Sequence, residues 1–135
     1  MLKPYRYIRW HIRCIWQQHI GVSTLNSRTL VKETRVLAED EIIDISITKV
    51  EESPQIPHGI KYSFNYRVKP ASSEWKSIIR FDNAHEIRGH KRRDHKHLFN
   101  DQPIEFEFIS LKHIYKEILI KIEQNRGLIN EIKRH

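Results

Sequence analysis

From Thr29 onward the chain alternates apolar and polar residues with a period of two. Leu30 to Val36 and Ile42 to Val50 are runs rich in β-branched residues, separated by Ala-Glu-Asp-Glu, and read as a hairpin. In the second run Ile43, Ile45 and Ile47 share one face, while Asp44, Ser46 and Thr48 share the other. Ser53-Pro-Gln-Ile-Pro-His-Gly cannot continue a ladder, because its two prolines lack donors, so it reads as a loop. A third strand alternates cleanly through Ile60, Tyr62, Phe64, Tyr66 and Val68. After a turn at Lys69-Pro-Ala-Ser-Ser, Trp75 to Phe81 predicts a fourth strand and Ile104 to Phe108 a short fifth. The period then changes. Ser110 is a candidate N-cap for a long helix with an apolar stripe through Leu111, Ile114, Tyr115, Ile118, Leu119, Ile122, Ile129 and Ile132, ended or bent near Gly127.

Ahead of the sheet, Ile8, Ile12, Ile15 and Trp16 recur at helical spacing with Arg6, Arg9 and Arg13 opposite them, which predicts an N-terminal helix. The alternation of Tyr5 and Tyr7 would also suit a strand. Such an arm can stack on single-stranded RNA, lie on a membrane surface or dock on an acidic partner. Packing on the sheet is the reading an apolar stripe favours. The fold class expected is α+β: an antiparallel sheet of about five strands, with a long C-terminal helix and an N-terminal helix packed on it. One domain, 1–135, is expected, divided into an arm at 1–28, a core at 29–123 and a helical tail at 124–135.

Composition narrows the setting. The 135 residues carry 24 Lys+Arg against 17 Asp+Glu, a net charge of +7. A single Cys excludes an intrachain disulfide scaffold and suits a reducing, cytoplasmic location. No apolar run is long enough for a membrane helix, so stable membrane insertion is not expected. Basic charge favours polyanionic partners, nucleic acid first. Its placement says more than its size: 1–22 contributes +4 with no acid, and 82–100 contributes +2 together with four of the nine histidines.

The second of these segments, Arg80-Phe-Asp-Asn through Asp94-His-Lys-His, holds acids, bases and phosphate-binding cations at the end of a strand. It admits three chemistries. The first is metal-independent cleavage of RNA, which needs a base at the 2′-OH, an acid at the leaving 5′-oxygen and cations around the developing phosphorane. If the backbone is extended, His95 and His97 share a face with Lys96 opposite. The second is a metal site drawn from His95, His97, His90, His85 and Asp82, although the spacing fits no closed zinc pattern and the nearby cations oppose it. The third is a solvated basic loop that binds nucleic acid or an acidic partner without chemistry. Taken singly, His85 beside Glu86 and His58 in the Pro loop read as surface residues, and His113 as part of helix packing or capping.

A strand ending Arg-Phe-Asp-Asn, a basic spacer with a Gly, and then Asp-His-Lys-His resembles the TumE family of prokaryotic toxin–antitoxin toxins. The resemblance spans Thr29 to Glu123 and includes the early hairpin, the Tyr-rich strand and a helix beginning Ser-Leu. It departs in a longer, more basic spacer and in the N-terminal extension. It implies a toxin acting on RNA or translation and neutralised by an antitoxin, commonly a helix-turn-helix protein. A homodimer is compatible with it. Its motif falls on Arg80, Asp82, Asn83, Asp94, His95 and His97.

The reading that joins motif and chemistry is the toxin of a type II pair acting as a metal-independent ribonuclease, with no cofactor. His95 and His97 are the candidate acid–base pair, with Asp82 and Asp94 orienting them. Arg80, Asn83, His90, Lys91, Arg92, Arg93 and Lys96 are the candidate substrate ligands. The alternative from another class is a non-catalytic nucleic-acid-binding or regulatory module with a basic His-rich loop.

Overall fold

The alternating segments fold into one antiparallel sheet in which each strand pairs only with its neighbours in sequence. The strands are β1 (Arg28–Ala38), β2 (Glu41–Lys49), β3 (Ile60–Val68), β4 (Lys76–Asp82), β5 (His95–Leu98) and β6 (Ile104–Glu105). Two helices follow, α1 (Leu111–Gln124) and α2 (Arg126–Arg134). The structure, a computed structural model, describes residues 28–90, 93–99 and 102–135. The expected N-terminal helix lies outside these residues.

The period-two pattern builds the core. Ile43, Ile45 and Ile47 of β2 stand opposite Tyr66, Phe64 and Tyr62 of β3, and all six are buried. Phe64 and Tyr66 in turn face Phe81 and Ile79 of β4. Onto this face α1 lays Leu111, Ile114, Tyr115, Ile118 and Ile122, and the Tyr115 ring meets that of Phe64 edge-on at 6.3 Å. Burying each side chain of this size contributes about 1.5–3 kcal/mol. Ser110 caps α1 by accepting the His113 backbone N–H at 3.0 Å, as its position before the apolar stripe predicts.

The long helix expected from the stripe is divided. Asn125, at φ −116° and ψ 20°, separates α1 from α2, and its Nδ2 donates to the Lys121 carbonyl. Gly127 sits inside α2. This second helix is held by a buried carboxylate at the start of β2. Glu41 accepts from Tyr66 Oη at 2.6 Å, from Arg126 Nη1 at 2.8 and 2.9 Å, and from Lys133 Nζ at 2.7 Å. Burial would raise the pKa of Glu41, but the bonds from Lys133, Tyr66 and Arg126 outweigh it and hold the carboxyl below its ordinary range.

The sheet has six strands, not five. The addition is β5, His-Lys-His-Leu, whose residues carry no strong strand signal of their own and are ordered by pairing with β4. The expected strand at Ile104 to Phe108 contracts to Ile104–Glu105, while Phe106 and Phe108 pack from irregular backbone. Both helices cover the same face of the sheet. The opposite face carries two polar rungs, Ser63–Asp82–His95 and Asn65–Arg80–His97, in the register of β3, β4 and β5. Among the described residues no helix is long and apolar enough to cross a membrane.

Candidate functional site

The Asp-His-Lys-His motif is extended, so its side chains alternate across the sheet. His95 and His97 point to the helix-free face, their rings perpendicular with centroids 5.1 Å apart. Lys96 points the other way. Its Nζ bonds Glu117 Oε1 of α1 at 2.9 Å and lies 5.7 Å from the centre of the Phe81 ring. The structure therefore separates Lys96 from the two histidines it adjoins in sequence.

Asp82 and His95 are cross-strand partners, and both are buried. His95 Nδ1 is 2.8 Å from the Arg93 carbonyl, an acceptor, so this nitrogen carries the proton and donates it. His95 Nε2 then faces Asp82 Oδ1 at 3.4 Å. Burial pushes the His95 pKa below its ordinary value, although the Arg93 carbonyl bond and the Asp82 charge act to raise it. Asp82 has other neighbours. Its Oδ1 accepts the Ala84 backbone N–H at 3.2 Å, and its Oδ2 is 3.1 Å from Arg80 Nε. His85, on the exposed bend after β4, brings Nδ1 to 4.0 Å from Asp82 Oδ1 and its ring to 5.3 Å from that of His95.

Arg80 and His97, opposite each other in the ladder, line a cleft of about 180 Å³ with Ser77 and Ile78. This is the solvent-reached edge of the rung face: His97 is half-buried, whereas His95 is fully buried. His90 and Arg93 lie elsewhere, lining a larger cleft with Gln55, Glu86 and Arg88. There Arg93 Nη2 meets Glu86 Oε1 at 3.5 Å and His90 Nδ1 meets Glu105 Oε2 at 3.8 Å. Lys91 and Arg92 lie outside the described residues.

Two motif residues are internal braces. Asn83, fully buried, accepts the Tyr62 backbone N–H at 2.8 Å and donates to the Ile60 carbonyl at 2.8 Å, so its amide continues the β3–β4 ladder beyond the last strand residue. Asp94, also fully buried, accepts from Tyr62 Oη at 2.7 Å and faces His58 Nε2 at 3.4 Å. His58 Nδ1 accepts the Ile60 N–H at 3.2 Å, which places its proton on Nε2 and makes it a donor to Asp94. Burial, with the Asp94 charge beside it, pushes the Tyr62 pKa far above its ordinary value, so this phenol stays a donor. His58 also stacks on Phe108 at 3.9 Å between ring centres.

His58 and Tyr62 are the residues that sequence reasoning missed, and His85 was named only as a candidate metal ligand. Tyr62 was legible as a core position, but nothing in the pattern marked its hydroxyl. His58 is brought to Asp94 across a sequence separation of 36 residues by a loop with no periodic signal. His85 reads as a surface residue and is one, but its ring reaches the Asp82–His95 pair.

The family model described as Toxin TumE matches residues 12–126, most of the chain. No curated protein and no solved structure matches it.

Proposed function

The chain belongs to the TumE toxin family, and from that premise we propose that it is the toxin of a type II pair, cleaves RNA and is neutralised by a helix-turn-helix antitoxin. The observation that supports cleavage best is the cleft where Arg80 and His97 stand side by side on the solvent-reached edge of the polar face. An arginine there can hold two oxygens of one phosphate, and an imidazole can move a proton beside it. His97 takes the 2′-OH proton as the 2′-oxygen bonds to phosphorus. The P–O5′ bond breaks, the leaving oxygen takes a proton from the water that reaches the cleft, and Arg80 offsets the charge on the phosphorane. Neither role calls for a metal ion.

In this reading His95 and Asp82 are the wall behind the cleft and do not touch the RNA, because both are buried. Asn83 and Asp94 act through the fold. The test is purified protein on total RNA, with His97→Ala and Arg80→Ala compared in cleavage and in binding. Cleavage by the native protein that falls at least about a hundredfold in His97→Ala, with RNA still bound, is the expected result. Binding without any cleavage by the native protein would move the assignment to a nucleic-acid-binding module.

A further inference from the structure

We propose that Asp82, His85 and His95 form a binding site for a divalent transition ion of the zinc type, at the back of the rung face and distinct from the cleft of Arg80 and His97. The arrangement starts from His95. Its Nδ1 donates to the Arg93 carbonyl at 2.8 Å, so the lone pair of Nε2 is aimed at Asp82 Oδ1, 3.4 Å away. Two electron-rich atoms are thus set against each other in a buried place, and His95 Nε2 has no hydrogen-bond partner among the described residues. An orphaned buried polar atom of this kind is costly unless something positive lies between the two groups. A cation between them removes the conflict.

The geometry fits an ion. Bonds of about 2.0–2.1 Å to a tetrahedral zinc place neighbouring ligand atoms about 3.4 Å apart. His95 Nε2 and Asp82 Oδ1 already stand at 3.4 Å. His85 Nδ1 lies 4.0 Å from the same oxygen, and one ligand atom from each of the three residues falls within 4.8 Å of the others. His85 is on an exposed bend, so it can close the remaining distance and also provides the route by which an ion enters. The Arg93 carbonyl on the far nitrogen of His95 is the kind of outer contact that fixes a metal-binding imidazole in its tautomer.

Two imidazoles and one carboxylate suit zinc, cobalt or nickel better than magnesium or calcium, which prefer oxygen alone. Arg80 does not block the site: it pairs with Oδ2, leaving Oδ1 for the ion. The fourth coordination position is left to water or to an oxygen of an anionic ligand. The proposal does not depend on RNA cleavage, and its test contains no RNA, so each can fail without the other.

Metal-stripped full-length protein is titrated with Co²⁺ and followed by visible absorption, then by displacement with Zn²⁺. Intense four-coordinate bands saturating at one ion per chain are expected, with a higher melting temperature in the presence of Zn²⁺. H85A, on the exposed bend, keeps the apo melting temperature and weakens binding by at least about tenfold. D82N, which retains the hydrogen-bonding shape, weakens it as well. H113A, on the outer side of α1, binds as the native protein does. Absence of the bands, or bands that persist unchanged in both H85A and D82N, would overturn the site.

Discussion

Tyr62 donates its phenolic proton to Asp94 at 2.7 Å, tying the residue just before the histidine strand to the middle of the core sheet. Asp94 has no exposure, and the bond comes from a strand two places away in the sheet. The position of His95 and His97 is therefore set from beneath, by a side chain belonging to the core.

Removing that tie should loosen the site. Y62F leaves a buried carboxylate with His58 as its remaining partner among the bonds described above, and should lower unfolding stability by roughly 1–3 kcal/mol. D94N, whose amide oxygen still accepts from Tyr62, should cost less than D94A. Urea unfolding of the three variants gives the order, and equal losses for D94N and D94A would show that the Tyr62 bond is not what matters.

Asn83 should behave as a piece of backbone. N83A leaves the Tyr62 N–H and the Ile60 carbonyl without their partner in a buried rung, at about 1–3 kcal/mol for each group left unsatisfied. Any fall in RNA processing by N83A should track the fraction unfolded. A fully folded N83A with impaired RNA binding would instead put Asn83 in contact with substrate.

Glu41 makes stability depend on pH in a defined sense. Its carboxyl titrates lower in the folded protein than in the unfolded chain, so its contribution is complete above the ordinary carboxylate range near 4.5 and is lost as the pH falls through the depressed folded value. Melting temperature should drop across that acid window, and E41Q should flatten the drop. E41A removes the carboxylate shared by Tyr66, Arg126 and Lys133 and leaves the two cations only Glu123 and Asp40, and should cost about 3 kcal/mol at neutral pH. A melting curve whose acid slope is the same in E41Q would assign the dependence to other carboxylates.

Ser110 should be worth about 1 kcal/mol, the usual loss when a capping oxygen is replaced by a methyl group. S110A measured by thermal unfolding checks this, with S110D expected to recover most of it by offering an acceptor at the same place. A D variant no better than A would mean that the His113 N–H is satisfied from elsewhere.

What the sequence made legible, and what it did not, divides along a physical line. Ile43, Ile45 and Ile47, and Tyr62, Phe64 and Tyr66, were assignable because alternation along one strand is a local property with a fixed period. Ser110 was assignable because a cap is also local. His95 to Leu98 were not read as a sheet strand, since their order comes from β4 and their burial from packing by distant segments. The His58–Asp94 and Glu41–Arg126 contacts join positions 36 and 85 residues apart, through a loop and a turn that carry no period. The candidate site followed the same rule. The motif located Asp82, His95 and His97, but the strand register separated Lys96 from them, and the bend after β4 set His85 beside Asp82 and His95.

The order of the strands in the sheet has a kinetic consequence. Because among the described residues each of the six strands bonds only to those before and after it in the chain, every pairing joins consecutive segments, and comparatively little entropy is spent bringing ends together. Folding of such a sheet can proceed hairpin by hairpin, and the long-range event is the docking of α1 and the fastening of α2 to Glu41. Refolding should then resolve into a fast phase reporting the aromatic strands and a later one reporting the helices, with E41Q slowing only the second. If that order holds, the polar face carrying His97 takes shape before the helices are in place, and an antitoxin acting in time would meet a surface already formed.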